Sequence, residues 1–530
     1  MKNILFIGSF CLCGLASMAQ LPEDVLKFGW YGPTGTARTQ AIGGAIGALG
    51  GDLTASYVNP AGLAFYKTKD VIVSPGYSFF KNNINFRGTN NNGQNSSFFN
   101  LGTSGAVFGS SDPRSAWNGK AFSIAVSTVA NFNSHISYTG QNNFSSYGEQ
   151  YAADAASAAS NGLSFDDMLN DSDPSIRVSA GTKLGIYTYL IDTLTVPGLP
   201  ASENPQIVSM AMWKNLKNGA PFLVTQQNSI RTNGGITEIA LGFAATHTDR
   251  FYLGGSLGIP IVSYERNSVF TETDASGDPN NNFEHSTLTE KYSTRGVGVN
   301  IKLGAIYKPV DQLRVGLALH SPSFYGLKDS YYASMTTNTE NYVLPNNSTV
   351  TATTDQTLNL APTYKYDLSS PWRFIASAAY VIHETEDVKQ QRGFITADIE
   401  YVTYKSNSYK TTGGDDNNSY YKDVNKAIKD YYKNAFNFRL GGEIKFNTIM
   451  ARLGFSYYSN PYKESELKGK KMFVSGGLGY RNKGLFLDLT YVHSITNDVD
   501  FPYRLPDKAN TFATVNGIGG NIAVTAGIKF

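Results

Sequence analysis

The chain has 530 residues, a formal net charge of +2 and only 16% charged residues, well below the roughly 25% of a typical soluble protein. So even a balance argues against a nucleic-acid partner, because phosphate binding needs a concentrated basic surface. The length allows two to four ordinary domains or one large closed one. Tyr (33), Phe (31) and Gly (52) are abundant, and Asn and Ser crowd the segments between apolar stretches.

Residues 1–19 read as a signal peptide. Lys2 supplies the positive start, "ILFIGSFCLCGLA" (4–16) the apolar core, and Ser17-Met18-Ala19 the small residues of a cleavage site. Neither Cys11 nor Cys13 follows a small residue, so a lipidation box is not expected. Both cysteines leave with the signal. The mature chain, starting at Gln20, then has no thiol for a disulfide, a zinc-thiolate site or a nucleophile.

Residues 20–69 show little alternation. A glycine-rich apolar run, "AIGGAIGALGGD" (41–52), leads into "SYVNPAGLAFYKTKD" (56–70), where Asn59-Pro60 stops one segment. No later run approaches the roughly 18–20 apolar residues of a membrane helix. Period-two strands follow instead. In "LRVGLALH" (313–320), Leu313, Val315, Leu317 and Leu319 fall on one side, with Arg314 and His320 opposite. "AFNFRLGGEIKF" (435–446) places Phe436, Phe438, Leu440, Ile444 and Phe446 opposite Asn437, Arg439, Glu443 and Lys445. "LFLDLTY" (485–491) repeats the pattern. One face suits lipid and the other a wet lumen. A soluble β-sandwich also alternates, but it has no need of the ending "NIAVTAGIKF", in which Ile522, Val524, Ala526, Ile528 and Phe530 share a face.

The predicted class is therefore an all-β transmembrane antiparallel barrel of about 14 strands. They are expected near 70–85, 97–110, 119–135, 230–247, 250–268, 287–308, 312–335, 371–384, 391–405, 433–446, 449–461, 471–481, 484–496 and 517–530. Short turns near 111–118, 247–250, 308–312, 384–391, 447–449 and 481–484 alternate with longer connections, as outer-membrane barrels require. Segment 336–370 reads as an outer loop. The largest insertion, 136–229, is partly helical in its alanine-rich portion 151–171 and lies outside as a lid or partner surface. With the barrel at 70–530, residues 20–69 are expected to fold into its lumen as a plug.

Signs of chemistry are weak. His135-Ile136-Ser137 puts a histidine and a serine on one face, but no third group orients the base. Histidines 135, 247, 285, 320, 383 and 493 show no metal-ligand spacing. "SGDPNNNFE" (276–284) lacks the ordered ligands of a calcium loop. The pairs Tyr331-Tyr332, Tyr420-Tyr421, Tyr431-Tyr432 and Tyr457-Tyr458 read as interface girdles. No enzyme activity, cofactor or metal is expected.

The stretch "GTARTQAIGGAIGALGGDLTASYVNPAGLAFY" (35–66) resembles the amino-terminal hatch of the FadL-type long-chain fatty acid transporters, which include importers of aromatic hydrocarbons. Asn59, Pro60 and Ala61 match the family's Asn-Pro-Ala signature, with Gly62-Leu63 following. "SPWRFIASAAYVIHE" (370–384), "ADIEYVTY" (397–404) and the terminal Phe530 resemble its later strands.

The resemblance implies a fourteen-stranded barrel of the bacterial outer membrane, plugged from the periplasmic side, that passes hydrophobic molecules. The hatch signature Asn59, Pro60, Ala61 and Gly62 acts there as a conformational switch, and ligand leaves sideways through a kink in the third strand. Here that strand, "AFSIAVSTVANFN" (121–133), has no Gly or Pro. Candidate kinks are therefore placed at Pro75-Gly76 and Pro260, where proline removes a ladder donor. The implied partners are hydrophobic small molecules, membrane lipid, and the assembly machinery that reads Phe530. Fatty acids are the default cargo, with aromatic hydrocarbons and heme open. The alternative is a non-transporting barrel that scaffolds surface or secretion partners through 136–229.

Overall fold

The computed structural model describes residues 22–170, 178–343, 349–360, 363–383, 392–412 and 419–530. The expected signal peptide and the expected turn 384–391 lie outside the described residues.

Strand pairing defines a closed antiparallel barrel. Its first three strands are β1 (Lys69–Val73 and Pro75–Phe86), β2 (Thr89–Leu101 and Ser104–Ser111) and β3 (Gly119–Asn131 and Ser134–Asn142). Three long strands follow: β4 (Val224–His247), β5 (Phe251–Asp274) and β6 (His285–Val310). The next are β7 (Leu313–His320 and Phe324–Asn338), β8 (Thr363–Ser369 and Arg373–Ile382) and β9 (Gly393–Val402 and Ser408–Thr411). The last are β10 (Ala435–Phe446), β11 (Ile449–Tyr458), β12 (Lys470–Asn482), β13 (Leu485–Asp500) and β14 (Ala513–Lys529). The ladder of β14 with β1, from Asp70↔Lys529 to Asn85↔Thr514, closes the ring. Fourteen strands is the expected number, with even parity and the short turns at one end.

Alternation decides what faces where. Phe436, Phe438, Leu440, Ile444 and Phe446 on β10 are exposed, and so are Val315 and Leu317 on β7 and Leu485, Leu487 and Leu489 on β13. Their neighbours Asn437, Arg439, Arg314, His320 and Asp488 are buried. This is the reverse of a soluble sheet. From Phe436 to Phe446 a strand tilted by about 40° rises about 25 Å, the height of a hydrocarbon band. Outward aromatics lie towards both rims of the band, Phe251, Tyr307 and Phe446 at the turn end and Phe99, Phe324 and Phe436 at the other.

Several strands outrun their expected limits. β2 begins at Thr89 after a two-residue turn at Arg87-Gly88, β4 begins at Val224, and β5 continues to Asp274. "TNNNGQNSS" and similar segments rise above the hydrocarbon, where neither face has to be apolar, so the sign of a strand disappears from the sequence. Part of the expected outer loop 336–370 is likewise strand: Thr349–Thr353 pairs with Ser334–Asn338, and β8 opens at Thr363. The expected insertion 136–229 shrinks to 143–223. It holds α3 (Gly148–Ser160), α4 (Phe165–Asn170), α5 (Ala180–Tyr187), a hairpin of Ile191–Leu194 with Gln206–Ser209, and α6 (Met210–Asn218). A further outer helix, α7 (Ser419–Tyr431), leads into β10.

Because Leu440 stands near the middle of the apolar band, Leu440→Arg should destabilise the barrel by about 2–4 kcal/mol. A lowered urea midpoint for folded protein in lipid vesicles is the measurement that checks it.

Candidate functional site

Residues 22–66 lack strands and occupy the lumen. A turn at Pro22–Phe28 comes first, then two short helices, α1 (Ala37–Ala41) and α2 (Ala55–Val58), and a turn at Pro60–Phe65. Their contacts run right round the wall. The Ala37 amide donates to Thr525 Oγ1 of β14 at 2.7 Å, and Thr490 Oγ1 of β13 donates to the Ala37 carbonyl at 2.6 Å. Ser475 Oγ of β12 donates to the Ala41 carbonyl at 3.0 Å. The Gly47 amide donates to Asp398 Oδ2 of β9 at 3.2 Å. Residues 22–66 thus have polar backbone groups met by inward-facing wall side chains.

Close approach requires glycine. Gly43 has φ +66, and a Cβ there would stand 2.7–2.9 Å from the backbone of Phe455. On the wall, Gly254 and Gly304 leave room for Pro60 and Asn59. Asn59 carries the tightest junction. Its Nδ2 donates to the Gly47 carbonyl at 2.6 Å and, at 3.4 Å, to the carbonyls of Ala305 on β6 and Leu317 on β7. Its Oδ1 accepts from the Ala61 amide at 3.2 Å, capping the turn that follows. Pro60, Ala61 and Gly62 are buried beside it. The four signature residues come together as one joint between plug and wall.

Above the plug lies a cavity of about 2350 Å³. Its floor is Leu26, Lys27, Trp30 and Tyr31 of the plug, its roof includes α3, α5 and α7, and its sides carry Phe132, Tyr264, Tyr292, Tyr331, Phe473 and Phe501. The roof is fastened at Glu272, near the outer end of β5. Ser146 Oγ donates to Glu272 Oε2 at 2.5 Å, Gln226 Nε2 to its Oε1 at 2.7 Å, and the Tyr147 amide to the same Oε1 at 3.3 Å. Burial pushes this carboxyl up to about 7, against those hydrogen bonds and with the help of the Glu149 charge.

The wall is not uniformly laddered. Pairing between β2 and β3 runs only from Ser104↔Val126 to Ser111↔Gly119. Beyond it, among the described residues, β2 pairs with β1 alone and β3 with β4 alone. Asn91 Nδ2 of β2 bridges the seam to the Thr139 carbonyl at 3.1 Å, and Asn82 Nδ2 reaches across from β1 to the His135 carbonyl at 2.9 Å. At the seam β3 bulges between Thr128 and Ala130 against β4 and breaks at Phe132-Asn133. The Phe132 amide donates to the carbonyl of Gly234 on β4, whose φ is +106, and the Asn133 amide to Asn131 Oδ1. β2 breaks at Gly102-Thr103 opposite. The cavity lining includes Gly102 and Phe132, so the cavity reaches the seam. Outside, Phe99 is 86% exposed.

The third strand is thus broken at Phe132-Asn133 although 121–133 holds no Gly or Pro. The residues that bend it, Asn131 and Gly234, could have been found only by pairing β3 with β4. Of the other kink candidates, Pro75-Gly76 opens the upper part of β1 after a break at Ser74, while Pro260 stays in register with Glu238 of β4 but interrupts the ladder with β6, which skips Ile259 and Pro260.

His135 Nε2 lies 3.4 Å from Ser229 Oγ, not beside Ser137, so the His-Ile-Ser triplet forms no nucleophile pair. Asp278 of the calcium-like loop is paired with Lys214 Nζ at 2.5 Å. The tyrosine pairs are not girdles where they are described in full: Tyr432 and Tyr458 are buried, and Tyr331 and Tyr431 line the cavity. At the outer ends of strands, inward positions are filled by cap and plug, which tyrosine serves as well as an interface. The Tyr420 side chain lies outside the described residues.

A closed ring of strands, an apolar outer belt and a lumen filled by the chain's own amino-terminal segment define a plugged β-barrel of the outer membrane. Among solved structures, the chain is similar to a FadL homologue from Pseudomonas aeruginosa, with a TM-score of 0.52 and 13% identity over 94% of this chain and 99% of that one. It is also similar to the toluene transporter TodX of Pseudomonas putida (TM-score 0.48, 12% identity, 94% and 98% covered). The toluene transporter TbuX of Ralstonia pickettii matches with a TM-score of 0.46 and 13% identity, 96% and 100% covered. At such identity the first likeness is one of fold, and it is the fold that the hatch resemblance implies. No protein-family model and no curated protein matches the chain. The chain is a multi-pass barrel of the bacterial outer membrane, and no helix among the described residues is long and apolar enough to cross a membrane.

Replacing Asn59 by Ala removes one short donated bond, two longer contacts of the same amide and a cap, so Asn59→Ala should loosen the plug by about 1–3 kcal/mol. Faster hydrogen exchange at Gly47 and Ala61, with barrel strands still protected, is the expected readout. The cap should respond to acid. Folding raises Glu272 above its ordinary 4.5 to about 7, so the folded cap binds this proton more tightly than the unfolded chain does. Its contribution is fully present below about pH 4.5 and is lost as pH rises through about 7. Intrinsic-rate-corrected exchange at residues 146–158 should quicken over that window, and Glu272→Gln should flatten the response.

Proposed function

We propose that the protein takes up hydrophobic compounds passively across the outer membrane. A compound enters beneath the cap, binds in the lumenal cavity and leaves sideways at the β2–β3 seam when the plug shifts. The observation that carries this reading is a cavity of about 2350 Å³, roofed by the cap, floored by the plug and reaching the place where backbone pairing stops. It exceeds the roughly 300–1,000 Å³ of ordinary ligand sites. Burial there stabilises an alkyl chain by roughly 0.8 kcal/mol per methylene. Leaving downward into water would forfeit that gain, whereas leaving into lipid keeps it.

In this reading Asn59, Pro60, Ala61 and Gly62 act as the switch that holds or frees the plug, and Phe530 serves recognition by the assembly machinery. Long-chain compounds of fatty-acid size are the first to test. Purified protein in a neutral detergent should bind radiolabelled oleate or oleyl alcohol saturably. A variant lacking residues 22–66 should keep its barrel by circular dichroism and lose at least tenfold in affinity. Failure of both compounds to bind, with a stable protein captured through residues 143–223 instead, would favour a surface scaffold.

A further inference from the structure

We propose, resting on the transport reading above, that the cavity selects hydrophobic cations: compounds with a long apolar body and an organic ammonium head, bound beside Tyr264 at the seam. Charge is the first observation. Among the described residues the lining carries nine carboxylates against five cations, a formal net of −4. Burial pushes Asp154 and Asp498 up, so these two acids hold their protons more tightly than usual. Even with both uncharged, the lining keeps a net of −2. A carboxylate head entering this space meets like charge, whereas an ammonium meets its counter-charge.

The second observation is independent of charge. Three of the lining cations lie on aromatic faces. Lys27 Nζ stands 3.9 Å from the Tyr264 ring centroid, Lys471 Nζ 4.1 Å from that of Trp30, and the Arg504 guanidinium 3.9 Å from that of Phe501. Tyr264 is itself built into a cluster, with Phe132 at 5.5 Å and Tyr292 at 6.1 Å, both edge-on. Phe132 is the residue at which β3 breaks. The face of Tyr264 is therefore an ammonium subsite on the path to the seam, occupied in this state by the plug's own lysine.

Lys27 belongs to the Pro22–Phe28 turn at the start of the plug. A ligand ammonium on Tyr264 takes the lysine's place and lifts that turn, so binding of the head and movement of the plug become one event. A neutral head fills the cavity without displacing Lys27.

Three probes that share one eighteen-carbon chain test this: oleylamine, which is protonated at neutral pH as lysine is, oleyl alcohol and oleate. Binding is read from Trp30 fluorescence of the full-length barrel in dodecyl maltoside, corrected for partition into protein-free micelles and against Trp30→Phe. Oleylamine should bind about tenfold more tightly than the alcohol, with oleate weakest. Lys27→Ala should tighten oleylamine several-fold and leave the alcohol unchanged, and Tyr264→Leu should erase the amine's advantage. Oleate binding as tightly as oleylamine, or the alcohol matching the amine, would overturn the cation subsite while leaving transport intact. Failure of all three to bind would overturn the transport reading instead.

Discussion

Everything in this molecule depends on the rule that a backbone crossing hydrocarbon must satisfy its own hydrogen bonds. The ladder between β1 and β14 meets it by removing every free edge. Closure then fixes the rest. Successive side chains must point alternately to lipid and lumen, which is why Phe438 is bare while Arg439 is buried one residue on. Where β2 and β3 part, asparagine amides stand in for missing ladder bonds.

The lumen obeys a different economy of charge. Low on the wall, cations and acids pair closely. Glu400 accepts from Arg373 at 3.0 Å and Arg439 at 2.7 Å, and Arg452 bridges Glu443 and Asp488 at 2.6 Å each. The plug sits directly on this network, and Arg373 also donates to the carbonyl of Gly29. Higher up, Lys27, Lys471 and Arg504 lie on aromatic rings while Lys508 pairs with Glu149, and acids accept from hydroxyls: Tyr462 bonds Asp498, Tyr138 bonds Asp500 and Tyr331 bonds Glu290. The paired lower network immobilises the plug, whereas the upper one leaves a surface with negative potential and aromatic faces.

Strand number, strand faces and the lumenal place of residues 22–66 were legible because hydrocarbon imposes period-two alternation and forbids an apolar tail outside. What stood above the hydrocarbon was not. The polar run after Thr89 is strand without an apolar face, and the cap is narrower than composition suggested. The kink in β3 escaped notice because its cause is shared with Gly234, about a hundred residues away in sequence but adjacent across the ladder. The signature Asn59-Pro60-Ala61 was visible as a motif, yet its partners, carbonyls of Ala305 and Leu317, carry no side-chain signal. The cavity was hidden for a related reason: no single segment makes it.

One bond dates the plug's arrival. The amide of Ala37 rests on Thr525, 488 residues later, so this part of the plug finds its seat only once β14 is in place. Until then the entropy of the intervening loop stands unrecovered. Ring closure and the seat of Ala37 therefore wait on the same strand, and a wall that lacks it is neither sealed nor fully stoppered.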